Sequence, residues 1–540
     1  MQKLELTWIG KGNEPAVEPR ILLHDASQDY GDPNAENMLI HGDNLLALKA
    51  LEQEFSGKIK CTYIDPPYNS GYAFEHYEDG LEHSLWLTLM RDRLAILRNL
   101  LSEDGVLFIS IDDREAAYLI VLLDELFGRC NNCGQLIWEK KKKPSFLDSN
   151  MGSITEYILA YAKDRRRAPP FIGGVTTEGK KYPLNNAGNG VRILTFPKNS
   201  VRFSCFDQIF PPQDMSEGAI ITKLLDVLEI KNGTNTKEFR LEGEWRYSQK
   251  KLDEIIANGD AITISKAPFR PNHVKPGGEP KKLKNLLTVA HYGMSTYEDA
   301  TSESRELFGK NAFDYPKPEK LIYTLLNAVT EPGDLVLDSF LGSGTTAAVA
   351  HKMGRRYIGI ELGDHCYTHC IPRLKAVVDG EQGGISKTVG WTGGGGFKFY
   401  ELAPTLIVKD ANGLEIISDQ YNPTMLAAAV AKLCGYNFTT SEDNPYIHGV
   451  SNAGGFIFVT TQYVTVPMLR EIAKHFTNTQ SLVICASAFQ RKMKNDFPNI
   501  KLKKIPQTVL SKCEYGADNY NLNVLELPHF DETEEDFEDV

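Results

Sequence analysis

Ile59-Lys60-Cys61-Thr62-Tyr63-Ile64-Asp65-Pro66-Pro67-Tyr68 is the stretch on which the reading of the fold turns. Its first six residues predict a short strand, and two consecutive prolines then forbid further ladder or helix, because each fixes φ and lacks an N–H. Downstream, Leu85, Leu89, Leu94, Leu97 and Leu101 recur at helical spacing, and Gly105 opens a second strand, Val106 to Ile111. A helix over about Arg114 to Phe127, a strand around Leu136 to Trp138 and another through Ile158 to Tyr161 continue the alternation. Such alternation implies an α/β fold with a parallel sheet.

Between residues 164 and 307 the alternation fails, and Gly, Pro, Asn and Lys become frequent, as expected of an inserted module. It resumes with the helix Glu319 to Val329, the turn Glu331-Pro332-Gly333-Asp334 and the strand Leu335 to Leu337. Asp338-Ser339-Phe340-Leu341-Gly342-Ser343-Gly344-Thr345-Thr346 follows, then a helix to Met353 and the strand Tyr357 to Glu361. The same sheet is being completed. Gly393 to Gly396 mark a boundary, and Phe397 to Leu402 form one more strand. The remainder has its own strands, Gly455 to Thr460 and Leu482 to Ser487, with a helix near Pro467 to Phe476. The expected division is therefore 1–163, an insert at 164–307, 308–402, a small α/β domain at 403–528, and an acidic tail at 529–540 whose composition is that of a disordered segment.

With 540 residues, 42% of them hydrophobic, the chain is long enough for several cores. No apolar run approaches the roughly 20 residues that span a bilayer, and no charged-then-apolar leader opens the chain, so a soluble cytoplasmic protein is expected. Nine scattered cysteines fit a reducing compartment. Cys130 and Cys133 have the spacing of half a zinc knuckle, and His365, Cys366, His369 and Cys370 could complete it; because that second group reads as one helical stretch, no metal site is expected. The net charge of −12 opposes binding to a polyanion. Local basic runs soften the conflict: Lys140, Lys141, Lys142 and Lys143, then Arg165 and Arg166, then a segment from Lys250 to Lys284 that includes Arg270.

Two motifs carry chemistry. Gly342 and Gly344 let a ligand approach the backbone at a helix N-terminus, and Glu361, about 20 residues on, can accept two ribose hydroxyls. A nucleoside-containing cofactor follows, and the missing third glycine disfavours a nicotinamide dinucleotide. Asp65-Pro66-Pro67-Tyr68 answers a narrower problem. The lone pair of an adenine amine is delocalised into its ring, so the nitrogen must be drawn toward tetrahedral geometry before it attacks a methyl sulfonium. The Asp65 carboxylate and the Pro66 carbonyl, held outward by the rigid Pro66-Pro67 pair, offer one acceptor per N–H. Tyr68 offers a face on which an extruded base can stack. The alternative is a strand ending in a Pro-Pro turn with a surface tyrosine.

Here the sequence resembles the β-class amino-methyltransferases of DNA, and more closely the modification subunits of type III restriction systems. The matching residues, between about Leu4 and Leu402, include Leu39 to Leu45, Tyr63 to Asn69, Ser110 to Asp113, Trp138 to Lys141, Phe313 to Pro318 and Asp338 to Thr346. In this class, as here, the tetrapeptide precedes the glycine turn and the target-recognition region lies between them. The resemblance implies a Rossmann-like, seven-stranded methyltransferase sheet and a methyl transfer from S-adenosylmethionine to adenine N6, because a carboxylate in the first tetrapeptide position goes with adenine. It implies cofactor binding by Asp338, Phe340, Gly342, Gly344, Thr345 and Glu361, with help from Lys317 and Asp43. For three of these a plainer role stands beside that one: Phe340 as core, Lys317 as a surface charge, Asp43 as the N-cap of a helix from Asn44 to Glu54. Implied partners are double-stranded DNA, a second copy of the chain and a helicase-nuclease restriction subunit. Two rivals remain: a cytosine-N4 methyltransferase, and a DNA-reading subunit without catalysis.

Overall fold

The computed structural model describes residues 5–9, 11–12, 17–18, 20–68, 79–143, 151–205, 207–311, 313, 315–409, 415–441, 443–490 and 497–505. Asn69, Asp314 and the acidic tail lie outside them. The chain divides into two compact units, residues 1–170 with 284–540, and Phe171–Leu283.

The first unit is organised by an eleven-stranded sheet. Ten strands run in the order Leu22–His24, Gly396–Leu402, Met38–His41, Arg356–Glu361, Leu335–Asp338, Ile59–Ile64, Leu101–Ile111, Thr155–Ala162, Asn132–Glu139 and Leu286–Leu287, and Tyr30–Gly31 pairs with the second of them, Gly396–Leu402. The six strands from Gly396–Leu402 to Leu101–Ile111 are mutually parallel. Buried on both faces, they read as nearly continuous apolar runs. Three features differ from the sequence reading. The sheet is wider than the seven strands expected. Thr155–Ala162 runs antiparallel to both its neighbours, a direction that hydrophobic pattern cannot encode. Leu101 begins a strand where the leucine spacing placed it in a helix, which runs over Asp79–Leu100.

Around this sheet lies a core that includes Trp86, Met90, Leu94 and Leu97 on one helix and Leu119, Leu122 and Phe127 from the next. The first helix, Asn44–Phe55, is capped by Asp43, whose carboxylate accepts from Leu46 N at 3.0 Å. Toward the C-terminus a five-stranded sheet, Asn437–Phe438, Gly449–Val450, Phe456–Val464, Leu482–Phe489 and Ile500–Lys504, packs with the helices Pro423–Leu433 and Val466–Ala473. Its core also takes in Ile21, Ala403 and Leu406, so it belongs to the first unit.

The second unit carries a four-stranded and a seven-stranded sheet, the helix Gln249–Ala257, and a core around Phe196, Phe239, Trp245 and Phe269. Its ends are joined by a two-stranded ribbon, Ile172–Val175 with Pro280–Lys282. The boundaries are thus tighter than 164–307. Leu286–Leu287 extends the first unit's sheet, and Trp138 Nε1 donates to Ser295 O at 3.0 Å, which ties the segment from Lys284 onward to the first unit.

One buried ionic cluster underlies the glycine turn. Glu319, 2% exposed, accepts from Lys352 Nζ at 2.8 Å and from Arg373 Nη2 at 3.0 Å. Burial alone would raise the Glu319 carboxyl pKa, yet Arg373 and Lys352 outweigh it and hold the value low. Removing one member of such a cluster leaves a buried charge unmatched. Glu319→Gln is expected to lower the stability of this unit by about 3–5 kcal/mol, read as an earlier midpoint in urea unfolding. An unmoved midpoint would mean that the cluster contributes nothing net.

Candidate active site

Asp65 follows one strand and Asp338 ends its neighbour. Ile59–Ile64 and Leu335–Asp338 pair in parallel, with Cys61 opposite Val336 and Thr62 opposite Leu337. The carboxyl ends of both strands therefore open on one sheet edge, where the two chain segments of the sheet meet. In open α/β sheets that meeting point is where ligands bind.

The tetrapeptide is held by named contacts. Trp86, 3% exposed, donates from Nε1 to Pro67 O at 2.7 Å and fixes the turn. Lys317 Nζ donates to Asp65 Oδ2 at 2.6 Å and to Tyr68 Oη at 3.1 Å. Tyr68 Oη lies 2.8 Å from Asp65 Oδ1 and 3.2 Å from Glu156 Oε2. Aromatic faces surround the ammonium: the ring centres of Tyr68 and Tyr297 are each 5.2 Å from it, and that of Trp138 is 6.0 Å away. Burial would depress the Lys317 pKa, but the charges of Asp65 and Glu156 prevail and raise it; the side chain is a fixed cation. The Tyr68 hydroxyl is raised as well, by burial first and by Asp65 and Glu156 next. Lys317 was expected at the cofactor. The structure places it on the Asp65 carboxylate, with Pro316 and Pro318 bracketing it just before the helix Glu319–Val329.

At the glycine turn, Gly342 and Gly344 have φ of +56° and +83°, which favour glycine. Asp338 is buried; desolvation pushes its carboxyl up to about 7 against hydrogen bonds from Thr346 and the Phe340 amide. Phe340 is partly buried against the main core. Thr345 Oγ1 accepts from Arg373 Nη1 at 2.8 Å, so that hydroxyl braces the turn from within. Glu361 receives four donors, Gly342 N at 2.7 Å, Leu362 N at 2.8 Å, Gly363 N at 3.0 Å and His365 Nε2 at 2.9 Å. Leu362 N, Gly363 N and His365 crowd Oε1 while Gly342 N alone reaches Oε2, so Oε2 keeps a lone pair for one ribose hydroxyl, and a second hydroxyl would have to displace a donor, of which His365 is the only side chain. Asp43 caps its helix and meets Arg93 Nη2 at 3.4 Å, while Asn44 Nδ2 donates to Ser339 O at 2.7 Å and ties that helix to the turn. Ser339 Oγ, itself buried, has no hydrogen-bond partner among the described residues. An unmet hydroxyl and a carboxyl disfavoured as an anion are what a polar, cationic ligand would satisfy, so the turn fits a sulfonium nucleoside.

The basic residues divide. Lys140 lies at the Asp65 edge, but its Nζ donates to Glu156 Oε1 at 3.2 Å. Lys142 pairs with Asp299 at 2.8 Å, and Lys141 and Lys143 are at least partly exposed beside it. Arg165 and Arg166 follow the antiparallel strand Thr155–Ala162 and so lie at the sheet edge opposite Asp65; the sequence run was read without its direction. Arg270 belongs to the second unit and pairs with Glu217 at 2.8 Å. His365 and Cys370 are engaged at the cofactor turn, Cys370 Sγ donating to Gly342 O at 3.0 Å. Among the described residues no three His, Cys, Asp or Glu side chains are grouped to hold a metal. Glu156 and Tyr297 were missed. A lone carboxylate heading the apolar run Tyr157-Ile158-Leu159-Ala160 was the available signal for the first; nothing local marked the second.

A model of the DNA methylase family matches residues 59–370. The chain is 34% identical over 422 residues to the "Probable type III restriction-modification enzyme HindVI Mod subunit" of Haemophilus influenzae, an alignment covering 68% of this chain and 54% of that protein. It is 31% identical over 403 residues to the type III restriction-modification enzyme EcoPI Mod subunit of Escherichia phage P1, covering 65% of this chain and 61% of that one. It is 26% identical over 489 residues to the EcoP15I Mod subunit of Escherichia coli, covering 77% and 73%. The chain thus spans between half and two thirds of the length of the first two. With more than half of its residues matched by the family model, and the tetrapeptide and the glycine turn both inside the match, the chain belongs to the DNA methylase family.

Proposed function

We propose that this chain methylates the N6 amine of an adenine extruded from duplex DNA, as the modification subunit of a restriction-modification system. The carrying observation is that Asp65, with Pro66 beside it, and the Asp338 to Thr345 turn issue from paired parallel strands, so an acceptor pair for an amine stands next to a cofactor cradle. When bound, S-adenosylmethionine supplies a methyl group made electrophilic by its sulfonium.

The residues of the chain do the rest. Asp65 and the Pro66 carbonyl each accept one amine N–H, which turns the nitrogen lone pair out of the ring plane and toward the methyl carbon. Lys317 keeps Asp65 paired with a cation, and the carboxylate serves as an acceptor for the amine. The Tyr68 ring carries the base. On the cofactor side, Asp338, Phe340, Gly342, Gly344 and Glu361 hold the nucleoside, with Thr345 and Asp43 acting behind it to brace the turn and the first helix. The second unit, Phe171–Leu283, is the target-recognition module, and the sheet around Phe456–Val464 serves assembly or docking of a restriction subunit. Three named relatives are Mod subunits of type III enzymes, which supports modification of DNA over a purely structural role.

The deciding experiment digests DNA modified by the protein to nucleosides: N6-methyladenine is expected, and N4-methylcytosine in its place would overturn the choice of base. Asp65→Asn, which keeps shape and loses charge, is expected to lower kcat about 100-fold or more while cofactor affinity by calorimetry stays within about threefold. Equal loss of both would contradict that division of labour.

A pH dependence follows from Asp338. With its carboxyl pushed up to about 7, the group is protonated below that pH and anionic above it. Only the anion attracts a cationic cofactor, so cofactor affinity is expected to rise between pH 6 and 8. Asp338→Asn should bind more weakly and flatten that rise; an unchanged slope in the variant would remove Asp338 from cofactor binding.

A further inference from the structure

Glu156 has no part in the mechanism above, yet four side chains from four segments converge on it. Tyr68 Oη is 3.2 Å from its Oε2. Tyr297 Oη lies 3.1 and 3.0 Å from its two oxygens. Lys140 Nζ is 3.2 Å from Oε1, and Lys317 Nζ is 3.8 Å from Oε2. The residue is 3% exposed and heads an apolar strand. Burying a carboxylate there is unfavourable unless its partners need it.

The need shows in a count of donors at Asp65. Its Oδ1 already faces Tyr68 Oη at 2.8 Å, and its Oδ2 faces Lys317 Nζ at 2.6 Å. Each oxygen keeps a second lone pair, but an incoming amine must share its acceptor with a hydroxyl or an ammonium already bonded there, which weakens the bond it can form. The Tyr68 hydroxyl has a single proton and can serve Asp65 or Glu156, not both. Lys317 stands between the same two carboxylates.

We propose that Glu156 is a positioning residue that frees Asp65 for the substrate amine, by taking over the Tyr68 hydroxyl proton as a hydrogen bond and drawing Lys317 the same way. Tyr297 and Lys140 hold Glu156 in place for that exchange. No covalent bond changes: one O–H turns from one carboxylate to another, and an N–H of the substrate takes the vacated acceptor. The inference rests on the methylation reading and adds to it a residue outside the tetrapeptide.

A double-mutant cycle on the full-length protein tests it. Glu156→Gln is expected to lower kcat for methyl transfer to DNA about tenfold, within the range for coupled neighbours, with KM for S-adenosylmethionine unchanged. In a Tyr68→Phe background, where no hydroxyl competes for Asp65, the same change is expected to cost less than about threefold. Losses of equal size in both backgrounds, or no loss in either, would overturn the role of Glu156. A purely structural role would act alike in both and would also move cofactor binding. Should Glu156→Gln fail to fold, Glu156→Asp, which keeps the charge and withdraws it from Tyr68, is put through the same cycle with the same expectations. Absence of transfer by the wild-type protein would count against the methylation reading itself.

Discussion

The pairing of Ile59–Ile64 with Leu335–Asp338 is the constraint from which the rest follows. These strands are more than 270 residues apart in sequence, yet their ladder joins the centre of the sheet, and Met38–His41 pairs with Arg356–Glu361 across a still longer separation. Loop-closure entropy grows only logarithmically with separation, so an insert with its own core between the two halves is tolerated. The ribbon Ile172–Val175 with Pro280–Lys282 returns the inserted chain to its point of departure. Without that central ladder Asp65 and Asp338 would lose their side-by-side placement at one sheet edge.

Once the strands are joined, charge decides the details. Asp65, Glu156 and Asp338 crowd one sheet edge with Lys317 as the cation among them, and each shifts its neighbours: Asp65 and Glu156 raise the lysine, and Asp65 adds to the burial that raises Asp338. Buried ions are weak contributors to net stability. Their retention at this edge, beside strands that are otherwise apolar, fits a site arranged for chemistry more than for folding. The aromatic rings of Tyr68, Tyr297 and Trp138 shield the ammonium and narrow the positions it can occupy.

Local signals were legible, and non-local ones were not. Ile59–Ile64 and Glu319–Val329 appear where apolar spacing and the adjoining prolines placed them. Strand direction is not written in a hydrophobic run, so neither the antiparallel course of Thr155–Ala162 nor the sheet edge on which Arg165 and Arg166 fall is legible from it. Lys317 was visible as a residue between prolines, but its partner lies 252 positions away and no spacing rule links them. The same holds for Tyr297 and Glu156, 141 residues apart. Leu286–Leu287 is too short to stand out by pattern, and its pairing with Asn132–Glu139 is what draws the insert's boundary inward.

The glycine turn shows how such distant residues make a cradle rigid before any ligand arrives. Glycine at 342 and 344 admits the positive φ the turn needs but, lacking a Cβ, also leaves other backbone conformations open, which would blunt its use as a binding surface. Two restraints remove that freedom. From beneath, Arg373 bonds both Thr345 in the turn and Glu319 in the helix that follows Lys317. From above, the Glu361 carboxylate accepts the Gly342 amide. Arg373 thus ties the cofactor turn to the segment that delivers Lys317 to Asp65, so the acceptor of the amine and the cradle of the donor are set by one connected arrangement of buried charges.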